Sequence, residues 1–163
     1  MTIAASLYDW LKVLHIVAAM IWVGGAVTFS ALAIYVLRRA ERDTVSGFVT
    51  SLAVIAPLIF APAMIAVLGL GIWLVLDSDA WDFGQTWVEL ALALFAATFL
   101  IGAVFQGRSA AGARRAAAAG DAGEAARPLR RWAWGTFLIL LLTLVATWDM
   151  VLKPGLQRDT FGE

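Results

Sequence analysis

The chain contains no cysteine and only one histidine, and both shortages exclude kinds of site. Without cysteine there are no disulfides, no thiolate metal sites and no thiol catalysis. One histidine excludes a metal site built from several imidazoles of one chain. Charge is scarce as well: 15% of the 163 residues are charged, against about a quarter in soluble proteins. Since the formal net charge is also zero, we expect no nucleic-acid partner.

Apolar residues make up 62% of the chain, and its mean hydropathy is +0.84. A chain of this length forms one domain, whose core could not cover so much apolar surface, so we expect the lipid bilayer as a partner. Four runs reach the roughly 20 residues that span a bilayer, and in lipid such runs must be helical. The sequence predicts an all-α, four-transmembrane-helix bundle, a single integral membrane domain over 1–163 with spans at about 10–37, 51–76, 87–106 and 131–152.

The distribution of cations predicts the orientation. Nine of the twelve lysines and arginines lie in the loop after the first run or in the loop before the fourth. By the positive-inside rule these two loops are cytoplasmic, and both termini are extracytoplasmic. The connection between the second and third runs agrees, because it holds Asp77, Asp79 and Asp82 and no cation. We expect a multi-pass protein of the inner (plasma) membrane.

Three local features bear on the helices themselves. The alanine and arginine content after Gln106 predicts that the third helix continues beyond the membrane until about Gly120. Pro128 suits the first turn of the fourth helix. Pro57 and Pro62 lie inside the second run and predict a kinked or loosened helix, because each removes a backbone donor.

Ionisable side chains inside a span are costly unless paired or close to water, and here they gather at the predicted outer end. Lys12 and His15 lie three residues apart, so they share a helix face that continues to Trp22. Asp149 and Lys153 lie four apart on the fourth helix. We predict a cup in which Glu89 pairs with Lys12 and Asp149 pairs with Lys153, leaving His15 as an uncharged donor or ligand.

A purely structural interpretation of these residues stays open. Lys12, Glu89, Asp149 and Lys153 lie close enough to the membrane surface to extend their polar groups to water. His15 lies deeper, about 7 Å below Trp10 at a rise of about 1.5 Å per residue. A lone histidine at that depth either serves a ligand or bonds a neighbouring helix.

The segment Leu14–Gly25, which reads LHIVAAMIWVGG, resembles the opening helix of a family of uncharacterised bacterial integral membrane proteins. That family is distantly similar to the membrane part of the copper-resistance protein CopD and to the HemJ-type protoporphyrinogen oxidase. Likeness to HemJ implies haem b with His15 as axial ligand, Lys12 near a propionate, and Trp22 as the aromatic residue of the pattern. Likeness to CopD implies that His15 is a copper ligand. With one histidine, a second haem ligand would have to come from methionine, water or another subunit.

Three functions therefore remain open. The first is a small membrane module with an outer polar ligand or cofactor cup, associating with itself or with another membrane protein through its glycines and alanines. The second is a haem-binding redox protein that uses His15, and the third is a transporter of a small solute or ion, including copper. Hydrolytic motifs and phosphate-binding glycine loops are missing, so an enzyme is expected only as a haem-dependent oxidoreductase.

Overall fold

The computed structural model describes residues 6–39, 42–119 and 122–155, and most of them are helical. The helices are α1 (Leu7–Arg39), α2 (Arg42–Leu76), α3 (Thr86–Leu100), a π-helical segment (Ile101–Gln106), α4 (Gly107–Ala118) and α5 (Ala122–Leu152). Four helices are long and apolar enough to cross a membrane, which confirms the predicted architecture. At about 1.5 Å per residue, the 33 residues of α1 exceed the roughly 30 Å of a bilayer core, so its ends extend beyond it.

The third span is one continuous helical rod made of α3, the π segment and α4. It continues to Ala118, which confirms the expected extension of the third helix. The expected place of Pro128 was wrong: α5 begins at Ala122, so Pro128 lies inside the helix. Alanine is the strongest helix former, and the alanines before Pro128 extend the helix upstream of it. Pro57 and Pro62 lie within α2, and the kink that they predict stays a prediction.

The two ends of the bundle differ in composition. We call the end that carries Leu7, Leu76, Thr86 and Leu152 the termini end, and the opposite end the arginine end. At the arginine end α1, α2, α4 and α5 pack around Ala33, Leu52, Ala113, Leu129 and Trp132. In the middle a second cluster joins Ala18, Trp22, Ala63, Val67 and Ile139. At the termini end Val75, Trp87 and Val88 form a third.

Most apolar side chains of the four spans face outward. At most 22% of the most apolar stretch of any span is buried inside the protein. Leu58, Ile65 and Val151 are examples, each more than 70% exposed. Lipid must cover these surfaces, so contact with a bilayer follows from the fold.

Helix packing leaves one side of the bundle open. The helix α2 packs on α1, α4 and α5, while α3 packs on α5. The facing surfaces of α2 and α3 make little contact, and a cleft remains between them.

Candidate functional site

His15 packs against α2 at a position that has no side chain. A Cβ atom at Gly71 would lie 3.2 Å from Cε1 and 3.5 Å from Nδ1 of the imidazole, so the close approach depends on glycine. The ring is also within hydrogen-bonding reach of the backbone of Val67, one helical turn earlier. Nδ1 is buried without a hydrogen-bond partner among the described residues.

Asp149 is the most completely buried ionisable residue of the described chain, with 0% of its surface exposed. Neither carboxyl oxygen has a hydrogen-bond partner within the described residues. Buried polar groups are nearly always hydrogen-bonded, and an orphaned carboxyl group is costly to keep inside a protein. The burial of this carboxyl group is therefore not explained by its contribution to packing.

The predicted pair of Asp149 with Lys153 was wrong. α5 ends at Leu152, and Lys153 follows with a φ of 44°, in the left-handed region. The side chain therefore leaves the face of Asp149, and the rule for residues four apart on a helix does not apply. Instead the Lys153 ammonium lies 3.9 Å from the centre of the Trp81 ring and 5.6 Å from that of Trp87.

An aromatic group at the termini end holds Lys153. Trp81 and Trp87 meet edge to face with ring centres 5.2 Å apart. The indole nitrogen of Trp81 donates to the hydroxyl of Tyr8 at 3.0 Å, which ties the loop between α2 and α3 to α1. The group thus joins α1, α3 and the end of α5 around one cation, as cation–π contacts do.

The remaining cup residues are not brought together. Lys12 and Glu89 are exposed, and neither forms an ion pair within the described residues. Lys12 lies 4.7 Å from the centre of the Tyr8 ring. Trp22 is buried in the middle of the bundle, where it meets Phe95 edge to face at 6.0 Å. The predicted cup is therefore not assembled: His15 and Asp149 keep unpartnered polar atoms inside the bundle, while Lys12 and Glu89 stay exposed.

The surroundings of His15 do not fit the haem that the resemblance implies. The imidazole packs against Gly71 of α2, and His15 does not line the cleft that reaches Trp22. An axial ligand needs open space in front of its nitrogen for the porphyrin plane. Within the part of the chain that the structure describes, no three potential metal ligands of the histidine, cysteine and carboxylate types come together either.

A cavity of about 430 Å³ lies between α2 and the rod formed by α3, the π segment and α4. Exposed residues such as Pro57, Phe99 and Ala103 form part of its wall, so it opens sideways in the apolar part of the bundle. Its inner wall includes Trp22, Trp132 and many alanines and glycines. Sequence analysis did not predict this cavity.

Four polar side chains line the cavity: Thr98, Gln106, Arg114 and Thr136. The amide nitrogen of Gln106 donates to Thr136 Oγ1 at 2.6 Å, and Thr136 donates to the carbonyl of Trp132 at 3.1 Å. These bonds use the amide nitrogen of Gln106 and leave its amide oxygen as an acceptor. Arg114 is exposed two turns further along the rod and adds a cation towards the arginine end.

A proline lies on the opposite wall of the cavity. Pro57 has no backbone N–H, so the carbonyl of Ala53, four residues earlier, lacks its helical donor. Both residues line the cavity. The cavity therefore has apolar walls, with the Gln106 amide on one side and the proline turn of α2 on the other.

The π segment shapes this wall. Its wider turn shows in the hydrogen bond from the Gly107 amide to the carbonyl of Gly102, five residues earlier. π turns inside α-helices occur often at functional sites. On the far side of the segment Phe105 packs into a gap at Gly135, where a Cβ atom would lie 3.0 Å from its ring. The signals that sequence analysis missed were Gln106 at the end of an apolar run, Gly102 inside the segment and Gly107 directly after it.

One comparison with known proteins gives a match. A family model described as a predicted integral membrane protein, DUF2269, matches residues 9–154. Neither the curated proteins nor the solved structures give a match.

Proposed function

Because the chain belongs to the DUF2269 family of predicted integral membrane proteins, we propose a function inside the bilayer: binding an amphipathic small molecule that enters the cavity from lipid. The observation that carries the proposal is the cavity itself, with apolar walls and a Gln106 amide oxygen that accepts no hydrogen bond from the described residues. Small-molecule sites typically measure about 300–1,000 Å³ and combine apolar walls with a few polar groups. The cavity has both properties.

The polar groups indicate the chemistry of the ligand. Its head group needs a hydrogen-bond donor, such as a hydroxyl or an amide N–H, to meet the acceptors at Gln106 and Ala53. Its body must be apolar to lie along Trp22, Phe60 and Met64. Arg114 favours a further acceptor or an anionic group on the ligand at the arginine end. An alcohol, an amide or an acid with a long hydrocarbon part meets these requirements.

The side opening explains how such a ligand would arrive. A molecule dissolved in the bilayer can pass between α2 and α3 without crossing water, because the opening lies within the apolar stretch of both helices. The small residues of the cavity wall leave that path free.

Native mass spectrometry of gently extracted protein tests the proposal, with two cavity-filling variants. Ala53→Phe fills the α2 wall and Ala103→Phe fills the π wall, and Ala61→Phe on α2 is the control because Ala61 is exposed and outside the cavity. We expect about one retained non-protein molecule per chain in the original protein and the control, and a loss in both filled variants. Equal retention in all four proteins would contradict the proposal. The same spectra count chains per particle and thus test association with a second copy.

We also propose that the protein lies in the inner (plasma) membrane. In the orientation that the cations predict, both termini are outside and the arginine end is in the cytoplasm. Arg38, Arg108, Arg115 and Arg130 are exposed at one end of the bundle, which supports it. In this orientation the cavity lies in the cytoplasmic half of the membrane.

A second function, the transfer of protons or small cations, is favoured by the two unpartnered groups near the termini end. Asp149 and Nδ1 of His15 are both buried without partners. Ionisable residues at such places in membrane proteins often belong to ion pathways. Lys12, Glu89 and Lys153 would then form the rim, and Trp22 would mark the inner end of the path.

Liposomes that contain the protein and the dye pyranine test this second function. A potassium diffusion potential should acidify or alkalinise the lumen if the protein passes protons. We expect Asp149→Asn to abolish that flux and Asp79→Asn, in the exposed loop, to leave it unchanged. No flux through the original protein, or an unchanged flux in Asp149→Asn, would rule this function out.

A further inference from the structure

A groove of about 720 Å³ lies between α1 and α5 at the arginine end, on a different side from the cavity. Three arginines line it: Arg38 from α1, and Arg127 and Arg130 from α5. None of the described residues that line the groove is acidic. Among the described lining residues, three cations therefore share one groove without a counter-charge.

The rest of the groove is apolar, and its residues continue from the arginines towards the middle of the bundle. On α5, Arg127, Arg130, Trp134 and Phe137 follow at intervals of three and four residues, so they lie on one face of the helix. On α1, Ile34 precedes Arg38 by one turn on the face that meets α5. Each helix thus presents a charged end followed by an apolar stretch.

Trp134 and Phe137 form the open side of the groove. Their rings meet edge to face with centres 6.0 Å apart. Both side chains are at least 60% exposed, although each is large and apolar. Tryptophan beside cations is typical of the level at which lipid head groups meet hydrocarbon.

We propose that this groove binds one anionic phospholipid from the membrane, with its phosphate between the three arginines and an acyl chain along Leu37, Trp134 and Phe137. Guanidinium groups offer paired N–H donors that match phosphate oxygens. A zwitterionic lipid brings its own cation, which the three arginines repel. A head group such as phosphatidylglycerol has no such cation and suits the groove.

The proposal does not depend on the ligand of the cavity. Arg114 belongs to the cavity and not to the groove, while Arg38, Arg127 and Arg130 belong to the groove and not to the cavity. Ala53→Phe, which fills the cavity, should leave lipid binding in the groove unchanged. Each proposal can therefore be contradicted without affecting the other.

Binding of dioleoylphosphatidylglycerol tests the site, measured by native mass spectrometry at increasing lipid concentration. We expect Arg130→Gln and Arg127→Gln to weaken this lipid about tenfold together, the equivalent of 1.4 kcal/mol. Arg131→Gln is the matched control, because Arg131 is exposed, adjacent in sequence and outside the groove. Dioleoylphosphatidylcholine should bind more weakly than the anionic lipid and respond to none of the three changes.

Two further comparisons separate the explanations. Glycerol 3-phosphate should not displace the lipid; if it competes as well as the lipid itself, the groove binds free phosphate and the proposal is wrong. Equal losses in Arg130→Gln and Arg131→Gln would indicate general attraction by the arginine end and would also overturn it. Thermal unfolding without lipid should be the same in all variants, because every changed side chain is exposed.

Discussion

The amide nitrogen of Gln106 lies 2.6 Å from Oγ1 of Thr136 and joins the π segment to α5. Thr136 is buried and passes the bond on to the carbonyl of Trp132. The bond also orients the amide oxygen of Gln106 in the wall of the cavity. A single polar contact thus supports both the packing of two helices and the proposed binding site.

Replacing Thr136 by valine should therefore weaken the bundle. Valine keeps the shape of threonine but leaves the Gln106 amide with its remaining contact, the Trp132 carbonyl at 3.5 Å. Hydrogen bonds between membrane helices contribute about 0.6 kcal/mol on average and at most about 1.7. We expect a loss in this range by denaturant unfolding in detergent. Thr147→Val should change little, since Thr147 is exposed and, within the described residues, its hydroxyl donates to Thr143 on its own helix. Equal losses in the two variants would contradict the role of Gln106.

Gly71→Ala should displace His15. The added methyl group would lie 3.2 Å from Cε1, so the ring must shift by a few tenths of an ångström, and Gly71→Ala should lack the gain of about 1 kcal/mol that alanine normally brings to a helix. The control is Gly69→Ala, two residues away, where nothing lies within 4 Å of the added carbon. The double variant His15→Ala, Gly71→Ala should show the gain from alanine over His15→Ala alone, because the clash is gone. If it does not, the imidazole lies elsewhere.

The same packing predicts a spectrum. The imidazole of His15 packs against Gly71, and the described residues bring no three potential metal ligands together, so purified protein should show no Soret band after expression with added haem precursor. A Soret band that disappears in His15→Ala and survives in Lys153→Ala would contradict the position of the ring.

Asp149→Leu should raise the stability of the protein. The carboxyl group is fully buried and forms no hydrogen bond within the described residues. Leaving such a group unsatisfied costs about 1–3 kcal/mol, which an apolar side chain of similar size avoids. We expect a gain of this order in thermal unfolding, and none for Asp79→Leu in the loop. A loss in Asp149→Leu would mean that the carboxyl group has a stabilising partner.

Lys153 should tolerate arginine but not glutamine. The ammonium lies over Trp81, and a cation–π contact contributes about 0.5–1 kcal/mol at exposed sites. Lys153→Gln should lose that amount and change the tryptophan fluorescence, while Lys153→Arg should keep both. If Asp149→Asn removes the effect of Lys153→Gln, the two residues form the ion pair that the spacing first predicted.

The orientation can be read directly because the chain lacks cysteine. Single cysteines at Asp79 and at Arg115, both exposed, report the two ends of the bundle. A membrane-impermeant maleimide should label Asp79→Cys in intact cells, and Arg115→Cys only after permeabilisation. The reverse pattern would place the termini in the cytoplasm.

Patterns in the local sequence were enough to predict the helices but not the candidate site. The four spans follow from apolar runs, and the extension of the third helix follows from its alanines, because both depend on residues close in sequence. The position of Lys153 could not be predicted, because the prediction assumed that Lys153 lies on the same helix face as Asp149. In the structure α5 ends before Lys153, and the positive φ of Lys153 turns its side chain away from that face. The cavity depends on the π turn at Ile101–Gln106 and on the weak contact of α2 with α3, which only the folded bundle determines.

A structure of the protein in lipid nanodiscs tests the central claim most directly. We expect an elongated density that is not protein between α2 and the π segment, with its polar end at hydrogen-bonding distance from the amide oxygen of Gln106. In Ala53→Phe that density should be missing while the helices stay in place. A cleft closed by direct packing of α2 on α3, or an Ala53→Phe structure with the same density, would contradict the claim that this cavity binds a ligand.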